Sequence, residues 1–414
     1  MPRRFSPAND YRRNSGFTRP IDLHSLSICN RLRRSSLNSS QITYTQRFPC
    51  RPSKRPGGAT ASQRGLRLPN MVTSGAFTLR DYRPYERIVL VRNPRYYDAS
   101  LVGLEELTFL PVSDGTTVMN LYKVGEAMLT PGLGLPPVFN PVLSRKKDFH
   151  AAPAFGTVFP CISTRRAPFD NVLLRYALNM ATNKKVLADF MGHGHEPACS
   201  LIAPLPQYAQ PDSLKIDVDG RSYNVLAFDV EGARSLLAKS GFPGGVGHGG
   251  GRLEVPYHLP MVSDARKDEI LQKQWRQNLN IRVNLIPREF NVHWRMVLEA
   301  DYTGVAEYAA FPQYLDPNGF LDQFPTDSRG NPSGWSDPAY ASEVASANTI
   351  LNRTERLKQL AACEKRLLKA MPFLPFFHCA FGFLCKPFVR GLASHPFDVR
   401  AFKYVWIDTN WRPQ

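Results

Sequence analysis

From Phe77 to Ile407 short runs rich in β-branched and aromatic residues alternate with longer amphipathic stretches. This alternation constrains the fold more than any single motif, because strands and helices that take turns along a chain pack as layers of helix on covered sheet. Phe77–Asp81 and Glu86–Arg92 read as strands joined by an Arg83-Pro84-Tyr85 turn, and Leu107–Val112 as a third. Asp114 is placed to cap a helix running to Lys123 and stopped by Gly125. Asp170 or Asn171 starts a helix with Val172, Leu173, Tyr176, Ala177 and Met180 on one stripe. Thr182 or Asn183 starts another carrying Val186, Leu187 and Phe190. Asp229 caps a further helix that ends at Gly241. Strand Leu253–His258, helix Asp264–Leu279 with Ile270, Leu271 and Leu279 buried, and strand Ile281–Ile286 follow. Two late helices, about Pro338–Leu351 and Thr354–Lys369, precede the apolar runs Phe373–Phe377, Phe383-Leu384 and Phe402–Ile407.

The formal charge of +17 over 414 residues would ordinarily suggest an acidic partner. Its placement argues otherwise. Residues 1–70 hold 14 Lys and Arg against Asp10 and Asp22, a balance of +12, which leaves +5 on all the rest. Residues 1–67 are rich in Arg, Ser, Pro and Gln and show no sustained hydrophobic period, so they are expected to form a disordered basic tail. Binding of nucleic acid or an anionic surface through that tail is the alternative function; none is expected for the folded body.

The run Ile21–Cys29 is too interrupted for a secretory signal, and no stretch reaches the length of a membrane span. Seven scattered cysteines form no CxxC pair, and Cys379 and Cys385 read as buried thiols. The glycine-rich segment from Phe242 to Gly251 lacks GK[ST] and follows a helix, so it reads as a helix stop. Gly192-His193-Gly194-His195-Glu196, ahead of Cys199, matches no zinc spacing and reads as a loop. No nucleophile elbow occurs. No catalytic constellation is visible, so the residues point to binding or to an unrecognised chemistry, and no metal or cofactor is expected.

An ordered series of short motifs narrows this. Val72-Thr73-Ser74-Gly75-Ala76-Phe77 is followed by Glu86 through Tyr97 (ERIVLVRNPRYY), Ala167-Pro168-Phe169-Asp170-Asn171 and Arg175-Tyr176-Ala177-Leu178. Phe228-Asp229, Ser240-Gly241-Phe242, Gln274-Trp275, Tyr314-Leu315-Asp316-Pro317, Leu374-Pro375 and Val389-Arg390-Gly391 continue it. In this order and spacing the chain, from about Leu68 onward, resembles the solute-binding proteins of peptide ABC importers, family 5, oligopeptide-binding type. The resemblance implies a two-lobed α/β fold of the periplasmic-binding-protein-like class II type, closing about a hinge on a peptide or peptide-like ligand. It also implies an extracytoplasmic monomer that serves the membrane permease subunits of an importer.

Set against that family, residues 68–155 and 382–414 correspond to a first lobe that is incomplete, and 156–381 to a whole second lobe. The chain is therefore expected to be N-terminally truncated. Where the family has an aspartate that pairs with the ligand's amino terminus, this chain has Gln313, just before Tyr314. Glu307 stands at the position of an arginine associated with the ligand's carboxylate end. Ala310 and Phe311 replace a tryptophan and a cysteine, and the cysteine's disulfide partner aligns near Gly156. Glu307, Gln313 and Asp316 are either ligand contacts or loop stabilisers. Phe377 and His378 are either pocket residues or a packed aromatic and a satisfied histidine.

Overall fold

Asp114 Oδ1 accepts the Thr117 amide at 2.7 Å, and Gly125 adopts φ +82°. A helix is thereby bounded at both ends by the residue types that supply free amides with an acceptor and tolerate a left-handed turn. The computed structural model describes residues 73–261, 264–325 and 330–412, together with the backbone of Leu26–Cys29. That helix, α1 (Gly115–Val124), follows β2 (Phe77–Arg83), β3 (Arg87–Arg92) and β4 (Glu106–Pro111) and precedes β5 (Ala127–Leu129). Leu26–Cys29 (β1) lies antiparallel between β4 and β5, giving the sheet order β2-β3-β4-β1-β5. The expectation of a tail without regular structure is corrected at this point. Leu-Ser-Ile-Cys alternates over too few residues to signal a strand by itself, and it is the neighbouring strands that supply its partners. The rest of residues 1–67, and with it the nucleic-acid reading, lies outside the described residues.

The second region opens with β6 (Phe149–Val158) and β7 (Cys161–Ile162). Asn171, of the two candidates, caps α2 (Val172–Met180), and Asn183 caps α3 (Lys184–Met191). The single stripe expected on α2 is corrected: every residue from Leu174 to Met180 is buried, while Val172 and Leu173 are only partly so. On α3 Val186 is exposed and Lys184 is buried, its Nζ donating to Ala198 O at 3.0 Å. Strand β8 (Glu196–Pro197), a short hairpin of β9 (Lys215–Val218) and β10 (Arg221–Asn224), and α4 (Val230–Lys239, capped by Asp229) lead to β11 (Glu254–Pro260). Strand β11 lies parallel to both β12 (Arg282–Arg288) and β13 (Val305–Ala306), with α5 (Ala265–Leu279) crossing between β11 and β12. This is a βαβ unit. Trp275 of α5 is fully buried and donates Nε1–H to Thr182 Oγ1 at 2.9 Å. Helix α6 (Phe290–Leu298), strand β14 (Ala309–Ala310), α7 (Pro338–Ala347) and α8 (Arg353–Ala370) complete the region.

One core of buried residues runs from Ala154 to Phe381 and contains Trp275, Tyr257, Phe159, Phe324, Phe373 and Phe376. Two smaller clusters serve the first region, one around Val102, Leu107 and Phe402, the other around Val118, Tyr122 and Leu143. Strand β15 (Phe377–Leu384) joins them. It pairs antiparallel with β6, from Phe377↔Val158 to Leu384↔Phe149. Phe377, Cys379 and Phe381 belong to the large core, Phe383 to the second cluster and Leu384 to the third. The two lobes are thus bridged by a two-strand ribbon whose side chains change cores part-way along. Phe373–Phe377 and Phe383-Leu384, separate runs in sequence, bracket one continuous strand.

Candidate functional site

After β13 the chain leaves the parallel sheet, and at β14 it joins the ribbon, where Ala309 pairs with Val158 and Ala310 with Thr157. Thr157 is also opposite His378 on β15. Ala310, Phe377 and His378 therefore meet around the last residues of β6. Phe311 comes with them. A Cβ on Gly156 would fall 2.3 Å from Phe311 Cδ1, so the ring occupies space that only glycine leaves open. The two positions at which the resemblance places a disulfide are thus neighbours, filled here by a ring and a glycine.

His378 is buried between Thr157 and Gln210. The Gln210 amide faces Nε2 at 3.4 Å and Thr157 Oγ1 lies 3.0 Å from Nδ1, an arrangement that suits a neutral ring with its proton on Nδ1. Burial, with a further contribution from the Lys184 charge, lowers its pKa to about 4. Phe377 is 1% exposed and meets His195 edge-on at 5.2 Å. Both residues are packed against neighbours within the protein.

Glu307 turns away from the ribbon. Its Oε2 lies 3.0 Å from Lys267 Nζ, which also lies 2.5 Å from Asp268 Oδ1. Lys267 and Asp268 are buried in the first turn of α5, and Tyr257 is buried nearby on β11. Burial disfavours the Lys267 ammonium, but the two carboxylates outweigh it and hold its pKa above the ordinary lysine value. This cluster escaped the sequence reading, which placed only apolar residues on the inner face of α5. A Lys-Asp pair in a first helical turn reads as solvated unless a partner such as Glu307 arrives from a distant strand.

Asp316 is likewise engaged. Its carboxylate takes Arg356 in two contacts of 2.5 and 2.9 Å and accepts the Asn318 amide at 2.9 Å. Burial opposes ionisation, yet the Arg356 guanidinium keeps its pKa below the usual carboxylate value. Gln313 and Tyr314 project from an exposed loop, Tyr314 with its hydroxyl 3.5 Å from Asp322 Oδ2. Beside this loop the sequence reading missed a stack of rings. Phe290 and Trp294 of α6 lie nearly parallel at 6.3 Å, and Trp294 and Tyr308 at 5.1 Å. The four-residue spacing of Phe290 and Trp294 was a visible signal for one face of a helix; Tyr308 had none.

Among the described residues no group of three or more His, Cys, Asp or Glu side chains is placed to hold a metal ion. His195 Nδ1 is 2.6 Å from Gly192 O, and His193 packs against Phe149. Two surface cavities, of about 580 and 390 Å³, lie beside α8 and at the C-terminal end of α5, and none of the eight candidate residues lines either.

Two α/β lobes bridged by an antiparallel ribbon, with an exposed loop issuing from that bridge, define a hinge-type binding protein. The chain belongs to the bacterial extracellular solute-binding proteins, family 5, whose model matches residues 48–332. The match starts upstream of Leu68, so part of the basic segment is included in the family region. The periplasmic oligopeptide-binding protein OppA of Salmonella typhimurium is 27% identical over 388 residues, covering 89% of this chain and 67% of its own length. The periplasmic murein peptide-binding protein MppA of Escherichia coli is 22% identical over 349 residues, covering 82% and 62%. A crystal structure of an oligopeptide-binding protein from Borrelia burgdorferi superposes with a TM-score of 0.71 at 24% identity, covering 84% of this chain and 67% of that one. The chain thus spans about two thirds of the length of these relatives.

Proposed function

We propose that this chain binds a peptide or peptide-like solute between its lobes and passes it to the membrane permease of an ABC importer. It acts outside the cytoplasm, by binding alone, with lobes formed by 68–155 with 382–414 and by 156–381, the residues just before that boundary, Ala154 and Phe155, placing their side chains in the second-lobe core. Family membership supports this reading, and the observation that carries it is the loop holding Phe311, Gln313 and Tyr314, exposed beside the ribbon on which lobe closure would turn. These three are the proposed ligand contacts. Ala310, Phe377 and His378 shape the bridge behind them, and Glu307 and Asp316 act through their ion pairs with Lys267 and Arg356.

Gln313 offers a neutral amide, which gives a free ammonium no charge-assisted bond. Isothermal titration with tetrapeptides and their N-acetylated forms tests the proposal. Binding that is indifferent to acetylation is expected, with Gln313→Asp gaining a preference of about tenfold for the free amino terminus. Absence of heat with every peptide tried would overturn the reading, and an unchanged preference in Gln313→Asp would remove Gln313 from the site.

A further inference from the structure

The ribbon of β6 and β15 is not the sole tie between the lobes. Residues 392–402 leave the first lobe, touch the core of the second, and return. Leu392 packs on the first-lobe cluster that contains Phe402, whereas Phe397 packs on the large second-lobe core, meeting Phe155 at 5.9 Å. The main chain adds a bond, as Phe155 N–H donates to Pro396 O at 2.7 Å. Asp398 then holds the return path. It sits at φ +51°, accepts the Gly132 amide at 3.0 Å, and lies 2.8 Å from Arg400 Nε. Arg400 donates to Thr130 O at 2.8 Å and covers the Phe383 ring at 4.3 Å. Thr130 and Gly132 are themselves bonded to Leu384 and Gly382 of β15.

We propose that residues 392–400 form a strap that sets the angle between the lobes, with Phe397 as the catch that must slide or release when the lobes move. A change of angle about the ribbon moves the large core relative to the segment 130–132. Phe397 is bound to the first and Asp398 to the second, one residue apart, so the strap has almost no slack. The left-handed backbone at Asp398 is what lets adjacent side chains serve the two lobes.

The test uses the full chain without ligand, so it stands or falls apart from peptide binding. Fluorophores on unnatural residues at the exposed positions Tyr85 and Leu351 report the inter-lobe distance, and hydrogen exchange reports the Phe155 amide. A narrow distance distribution is expected for the native chain. Phe397→Ala should broaden it roughly twofold and speed Phe155 exchange about tenfold, while the Tyr257 amide in β11 stays protected. Should Phe397→Ala fail to fold, Asp398→Gly decides, since glycine tolerates the left-handed backbone while the side chain that accepts the Gly132 amide is lost. An unchanged distance distribution alongside faster Phe155 exchange overturns the proposal, as does unchanged exchange in both variants.

Discussion

The two lobes reach order by different means. The second gathers its helices and its parallel sheet around one continuous core from Ala154 to Phe381, and it buries polar and charged groups within the same lobe. Glu364 is the clearest case: it accepts from Ser200 Oγ, the amides of Leu201 and Ile202, and Tyr208 Oη at 2.7 to 3.1 Å. The first-lobe part divides its apolar residues between two clusters, and both of these draw on β15. The difference teaches where cooperativity resides. A single core binds every element to every other, whereas small cores depend on the ribbon they share.

The largest effect should come from Glu364→Ala. The Leu201 amide and the Tyr208 hydroxyl would be left without their acceptor, and the second lobe should lose about 3–5 kcal/mol, read from urea unfolding of its tryptophan signal. Leu107→Ala, in the larger first-lobe cluster, should cost about 3 kcal/mol and lower the transition of that lobe alone. If Leu107→Ala moves both transitions together, the lobes unfold as one unit and the comparison breaks.

His378 sharpens it through pH. Its folded pKa of about 4 lies below the usual histidine value of 6.5, so the unfolded chain binds the proton first as pH falls. Its contribution is complete above pH 6.5 and is lost as pH falls toward 4. His193, also lowered to about 4 by burial, shares that window. His378→Gln should flatten this dependence by about 2 kcal/mol, measured as unfolding free energy at pH 7 and pH 4.5. A slope equal to the native one would show that His378 is not the group responsible. Asp316→Asn should have the smallest effect, about 1 kcal/mol, because its pair with Arg356 is only half-buried.

Local chemistry is legible wherever a short stretch contains its own reasons. Asp114, Asn171, Asn183 and Asp229 cap helices because a side-chain acceptor beside free amides needs no distant partner. The hairpin of β2 and β3 is legible for the same reason. The helix expected over Pro338–Leu351 ends at Ala347, and Leu351 is fully exposed, since its apolar side chain finds no core to join. Lys184, Lys267 and Asp268 were not foreseen inside, because burial of a charge depends on the partner that meets it.

The site divides along the same line. The motif series was enough to place Gln313 and Tyr314 together on one loop, and it aligned Phe311 with Gly156 across more than a hundred residues of chain. Only the tertiary structure decided what the neighbouring charges do. Glu307 and Asp316 are drawn to Lys267 and Arg356, leaving Gln313 as the polar group exposed on the loop. The sequence by itself determined the α/β layering and the helix ends, which are set by periodicity and by bonds between near neighbours. The joining of β6 to β15, the buried ion cluster and the strap at Phe397 were decided in three dimensions, because each depends on groups that folding alone brings into contact.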